Sequence, residues 1–189
     1  MHPSPERRRV LQGLGLAALP TLGLAQRVLA RHVELTTLQL AREDGALKLE
    51  FTALLNLPHA VDEALQRGVP LYFVAEATLW RHRWWWRDER VARVRREWRL
   101  AYLPLTGSWR VGFGGLNQSF ATQDEALASM TRIAGWKLVD LDQLDPEARY
   151  SVEFGYRLDN SQLPGPLQLD LPGMSDWRVG VERTLRVGD

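Results

Sequence analysis

Apolar and polar residues alternate along most of this chain. Leu47, Leu49, Phe51, Ala53 and Leu55 fall on one side of an extended segment, with Lys48, Glu50 and Thr52 on the other. Alternation of this kind is the mark of a strand with one face buried. Asp44-Gly45 just before it is a tight-turn pair, which joins this strand to an earlier one near Val33–Leu40. Tyr150, Val152, Phe154, Tyr156 and Leu158 repeat the pattern, and Trp177, Val179, Val181, Leu185 and Val187 repeat it again with Arg183 interrupting. Pro70–Trp84, Val91–Leu103 and a short stretch near Trp109–Phe113 complete the predicted strands.

Two segments have helical signals instead. Pro58–Arg67 has proline in its first turn and Gly68 as a stop. Gln123–Ala134 follows a capping box, Thr122 with Glu125 three residues on, and is predicted to run to Gly135. Gly112-Phe113-Gly114-Gly115 reads as a flexible loop before that helix. Leu163-Pro164-Gly165-Pro166 is the main break, since two nearby prolines forbid a central strand. The expected fold is mainly β (α+β): an antiparallel β-sandwich or strongly curved sheet of about seven to eight strands with two short helices.

The first residues carry an address rather than a strand. Arg7-Arg8-Arg9-Val10-Leu11-Gln12 precedes an apolar run from Gly13 to Ala25, and small residues offer cleavage sites at Ala25 and Ala30. A basic start, a short apolar run and small residues before a cut make a secretory signal peptide. Arg7 and Arg8 also resemble the twin-arginine export pair, although Glu6 stands where Ser or Thr is usual. Residues 1–25 are therefore expected to be removed. Residues 26–189 would form a single β-rich domain in the periplasm.

Charge changes the picture locally. The formal net charge is only +1, so no global field favours nucleic acid. Arginine outnumbers lysine 22 to 2, which fits a GC-rich genome and warns against reading each arginine as functional. Yet Arg81–Arg99 holds eight arginines and four tryptophans against three acids, while Asp140–Asp159 holds six acids against two arginines. If Pro70–Trp84 and Val91–Leu103 form a hairpin with its tip near Arg87-Asp88-Glu89-Arg90, then Arg93, Arg95, Glu97 and Arg99 share the outer face. Trp80, His82 and Trp84 share one face of the first strand, and Arg81, Arg83 and Trp85 the other. At least one tryptophan of Trp84-Trp85-Trp86 must then lie on the basic side.

Three readings fit this stretch. Arginine planes can stack over indoles as a structural cover. The surface can bind an anionic envelope component, a lipid or lipopolysaccharide, through arginine–phosphate contacts and interfacial tryptophan. Or it can dock a protein, since Trp and Arg dominate hot spots. The candidate binding residues are Arg83, Trp84, Trp85, Trp86, Arg87, Arg93, Arg95 and Arg99.

Signals for catalysis are missing from the sequence. There is no cysteine, which excludes disulfides, thiolate chemistry and lipoprotein anchoring through a lipobox. His32, His59 and His82 have no metal-ligand spacing. Asp140, Asp142 and Asp145 lack the glycine and terminal glutamate of a calcium loop, so they read as a solvated acidic turn. No cofactor or metal is expected.

Arg83-Trp84-Trp85-Trp86-Arg87-Asp88-Glu89, Leu100-Ala101-Tyr102 with Trp109-Arg110-Val111, Arg157-Leu158-Asp159-Asn160-Ser161-Gln162-Leu163-Pro164-Gly165-Pro166-Leu167 and Ser175-Asp176-Trp177 occur together here. This set resembles an exported proteobacterial family classified only as a domain of unknown function. Trp109 stands where tyrosine, and Leu167 where phenylalanine, would be usual. The resemblance covers about Val33 to Val187 and implies export without assigned catalytic residues. It also implies a gene often found beside a two-component sensor kinase. The expected function is a non-enzymatic periplasmic binding or accessory protein using the Arg/Trp-rich hairpin, for envelope sensing with a membrane sensor protein. The alternative is an envelope glycan hydrolase with an unrecognised carboxylate pair. Nucleic acid is not an expected partner, and a monomer or weak dimer is expected.

Overall fold

The computed structural model describes residues 32–85, 87–163 and 176–188, all within one compact unit, Arg31–Asp189. The predicted signal peptide, Trp86 and residues 164–175 lie outside the described residues. In the described residues nine strands form two antiparallel sheets. The smaller sheet has the order β1-β2-β7, from β1 (Val33–Glu43), β2 (Ala46–Leu55) and β7 (Arg132–Asp140). The larger has the order β6-β5-β4-β3-β8-β9, from β3 (Leu71–His82), β4 (Glu89–Leu103), β5 (Ser108–Phe113), β6 (Leu116–Phe120), β8 (Arg149–Leu158) and β9 (Gly180–Arg186). Helices α1 (His59–Gln66) and α2 (Gln123–Met130) carry the chain from one sheet to the other. The mainly β, two-helix architecture is the expected one, with strands added at β6 and β7.

The alternating faces become the core. Leu47, Leu49, Phe51 and Ala53 of β2 are buried, as are Leu71, Phe73, Ala75, Ala77 and Leu79 of β3 and Tyr150, Val152, Phe154, Tyr156 and Leu158 of β8. Phe51 crosses between the sheets, with its ring centre 4.8 Å from Phe154 and 5.6 Å from Tyr156. Arg96 is the one β4 arginine on this inner side, opposite Ala75. Its guanidinium lies 5.6 Å from the Phe113 ring and 5.2 Å from Trp136, and burial lowers its proton affinity. Cation–π contact is what makes such a half-buried charge tolerable.

Local chemistry explains the turns. Asp44 and Gly45 both have positive φ, the conformation of the tight hairpin turn that the sequence announced. Gly114 and Gly115 do the same between β5 and β6, so the expected flexible loop is a two-residue hairpin turn. The Thr122 capping box is present: its hydroxyl accepts a 3.3 Å hydrogen bond from the Glu125 amide. The helix it starts is shorter than expected, however. It ends at Met130, and the next segment is β7. Gly135 (φ 62°) does not stop a helix. It sits in a register shift of β7 against β2, between Ile133 opposite Phe51 and Trp136 opposite Leu49. A glycine with positive φ is a usual way to build such a bulge.

No described helix is long and apolar enough to cross a membrane.

Candidate functional site

The tryptophan stretch is the loop of the β3–β4 hairpin rather than part of its strands. β3 ends at His82 and β4 begins at Glu89, so the tip is at Trp84-Trp85 and not at Arg87-Asp88-Glu89-Arg90. Strand alternation therefore does not decide where these rings point. Trp84 and Trp85 are 86% and 77% exposed, and they stack on each other with ring centres 4.5 Å apart and planes inclined by 23°. Among the described residues the cation–π contacts belong to Arg96, not to arginines over these indoles. The structural cover expected from arginine–tryptophan stacking is thus absent at the two described rings of the triplet. Trp86 lies outside the described residues.

Acidic side chains fasten the base of this loop. One Asp88 oxygen is 2.8 Å from His82 Nδ1, and the other accepts a 3.4 Å hydrogen bond from the Arg83 amide. Arg83 pairs with Glu89 across the hairpin. Arg81 pairs with Asp145, which comes from the turn between β7 and β8. That turn is tied in its own right, since the Asp145 amide donates to the Tyr150 hydroxyl at 2.9 Å. Val91 is skipped by the pairing, with Leu79 opposite Ala92 and Trp80 opposite Arg90. A bulge there adds twist just before the tip. Arg81, His82, Arg83, Asp88 and Asp145 border an open groove of about 1180 Å³ together with the stacked indoles, and Glu147, Ala148 and Arg149 complete its lining.

Of the other candidate residues, the strand arginines Arg93, Arg95 and Arg99 are not gathered here. Arg87 is exposed in the loop. Arg93 and Arg95 face Thr78 and Glu76, and Arg99 faces Tyr72. At ~3.3 Å per strand residue, Arg93 lies about 17 Å and Arg99 about 36 Å up the hairpin from Arg83. Arg93 and Arg95 are also occupied. Arg93 pairs with Glu76 at 2.7 Å. Arg95 pairs with Glu97 at 2.7 Å and with Asp159 at 3.3 Å.

Asp159 shows what the Arg157–Leu163 motif does in the described residues. Its carboxylate accepts from the Ser161 hydroxyl at 2.6 Å, the Ser161 amide at 3.2 Å and Gln162 Nε2 at 3.3 Å. The short 3₁₀ turn so formed, Asn160–Gln162, folds over β3 and β4. The Asp159 amide donates to the Tyr72 carbonyl, and Gln162 reaches Glu97 at 3.0 Å. The motif is a clasp on the arginine-bearing face.

A second groove, of about 470 Å³, lies on the outer face of β3, β8 and β9 over Gly155. Glu76, Glu153 and Glu182 line it. Glu76 is held by Arg93, and Glu153 accepts a 2.8 Å hydrogen bond from the Trp80 indole. Among the described residues Asp159 is the one buried carboxylate, and it belongs to the clasp. No group of three or more His, Asp or Glu side chains among the described residues is placed to hold a metal ion.

Sequence reasoning missed Arg81, His82, Asp88, Asp145 and Arg149 as parts of the groove. The available signal was the pair of oppositely charged blocks, Arg81–Arg99 and Asp140–Asp159, which β3–β8 pairing brings together.

The pattern of one protein family, described as a domain of unknown function (DUF4390), matches residues 30–186. The chain matches no curated protein and no solved structure.

Proposed function

We propose that this chain, which belongs to the DUF4390 family of unknown function, is an exported, non-enzymatic binding protein. It works in the periplasm and engages a component of the cell envelope with the tip of its β3–β4 hairpin. One observation carries this reading: two large indoles stand exposed and stacked on a loop whose base is fastened by Asp88 and by the Arg83–Glu89 pair. A tryptophan buries about 150–250 Å² when covered. At ~25 cal/mol per Å², each ring left in water forgoes roughly 4–6 kcal/mol. Four other indoles serve stability: Trp98, Trp109, Trp136 and Trp177 are buried. Rings held out of the core on a tied loop are placed for contact with something else. The export signal read at Arg7-Arg8 puts that contact outside the cytoplasm.

The test is photo-crosslinking in cells from a probe at position 85 of the full chain. The expected capture is an envelope component, a lipid or a membrane protein such as a sensor. Exported, folded protein that captures nothing from position 85 would overturn the reading. So would a chain that stays in the cytoplasm with its N-terminus intact.

A further inference from the structure

Resting on that reading, we infer that the hairpin tip takes the interfacial zone of a phospholipid bilayer: Trp84 and Trp85 enter it while the charged collar beneath them stays at headgroup level. Three features of the tip point to this occupant. The first is its chemistry. The Trp80 indole N–H is spent on Glu153, whereas the indoles of Trp84 and Trp85 make no hydrogen bond among the described residues. Indoles with an apolar body and an unspent N–H favour the water–lipid boundary.

The second is area. Two exposed indoles offer roughly 300–500 Å², while a stable protein–protein interface buries about 1,200–2,000 Å² in total. A projecting two-ring tip falls short of that on its own side, and a bilayer needs no matching pocket.

The third is charge. The collar holds five arginines (Arg81, Arg83, Arg87, Arg90, Arg149) against four carboxylates (Asp88, Glu89, Asp145, Glu147), a formal +1 with His82 neutral. Arg81 and Arg83 are already neutralised by Asp145 and Glu89. Arg87, Arg90 and Arg149 have no ion pair among the described residues. This rim is too weakly basic to hold a polyanion by itself, but it complements a surface with some anionic lipid. A charged side chain resists entering hydrocarbon, so the collar also limits how deep the tip can go, to about the 5–10 Å of an interfacial anchor.

The full chain suits a direct test, because all eight tryptophans lie between residues 80 and 177 and the apolar N-terminal run contains none. Quenching of indole fluorescence by vesicles of tail-brominated phosphatidylcholine therefore reports the folded domain and not the N-terminus. The buried Trp98, Trp109, Trp136 and Trp177 are out of reach of the lipid. Quenching is expected with the wild-type chain, and a few-fold tighter partition when phosphatidylglycerol is mixed in. In Trp84→Ala/Trp85→Ala the quenching should fall sharply and partition weaken about tenfold or more, with an unchanged melting temperature. In Arg87→Gln/Arg90→Gln binding to neutral vesicles should persist and the response to phosphatidylglycerol disappear. Absent quenching, or quenching indifferent to the double alanine change, overturns the inference. If position 85 captures a protein in cells while vesicles give no quenching, the bilayer inference fails and the binding-protein reading stands. If there is neither capture nor quenching, both fail.

Discussion

The Asp159 carboxylate sits below most of the protein surface and accepts hydrogen bonds from Ser161 and Gln162, with Arg95 at 3.3 Å. Burial by itself raises its pKa. The Ser161 and Gln162 hydrogen bonds and the charge of Arg157 outweigh that and hold it below the ordinary aspartate range. A carboxyl whose folded pKa is depressed adds stability above its unfolded pKa, near ~3.9, and loses it as pH falls through the folded value. Asp159→Asn should therefore cost about 1–3 kcal/mol at neutral pH and flatten the loss of stability below about pH 5. Urea denaturation of both proteins across that range checks it. Tyr156 presents the opposite case. Its hydroxyl is buried with no hydrogen-bond partner among the described residues, and burial drives its ionisation far above the ordinary phenol range. Tyr156→Phe removes the orphaned group and keeps the ring against Phe51 and Phe73. It should stabilise the fold by about 1 kcal/mol, seen as a higher melting temperature.

At the scale of elements, the hairpin loop gives the clearest expectation. Asp88 joins the loop's two ends through His82 and the Arg83 amide. Asp88→Ala removes this brace without touching the core. Tryptic cleavage after Arg83 and Arg87 should rise roughly fivefold, as loss of about 1 kcal/mol of local restraint implies, while global stability stays nearly constant. The same element shows what the sequence could and could not disclose. Its two strands were legible because β3 alternates Leu71, Phe73, Ala75, Ala77 and Leu79 inward. Its turn was placed three residues too late because aromatic residues have strong strand preference, and Trp84-Trp85 looks like strand. β7 was hidden for a different reason. The capping box that starts α2 just before it was real, but Gly135 interrupts the alternation of β7, and a glycine there reads equally as a helix stop or a strand bulge. β6 was hidden because Leu116–Phe120 lies at the sheet edge, where Asn117, Gln118 and Ser119 are all exposed.

At the scale of the whole molecule, Phe51 ties the two sheets, fully buried against Phe154 and Tyr156. Phe51→Ala should destabilise by about 3–5 kcal/mol. Because the sheets share this one core, the loss should appear as a single shifted urea transition rather than two. The candidate site belongs to this scale too. Arg81 and Asp145 are 64 residues apart and meet only because β8 returns beside β3. Opposite charge blocks in the sequence hinted at such a meeting, but no local pattern states which strand lies beside which. The expected export signal, by contrast, rests on the sequence of residues 1–25 alone and is independent of the fold.

The stacked pair at the tip has an optical consequence. Two identical indoles 4.5 Å apart, with planes inclined by 23°, share their electronic excitation, and a fixed inclination makes that sharing chiral. The protein should therefore show a two-signed exciton band in its ultraviolet circular dichroism, superposed on the β signal. Trp84→Ala or Trp85→Ala alone should abolish the band and leave the β signal. A tip covered by a partner that pries the rings apart would erase it in the same way, so the band doubles as a built-in reporter of whether the two rings part on contact.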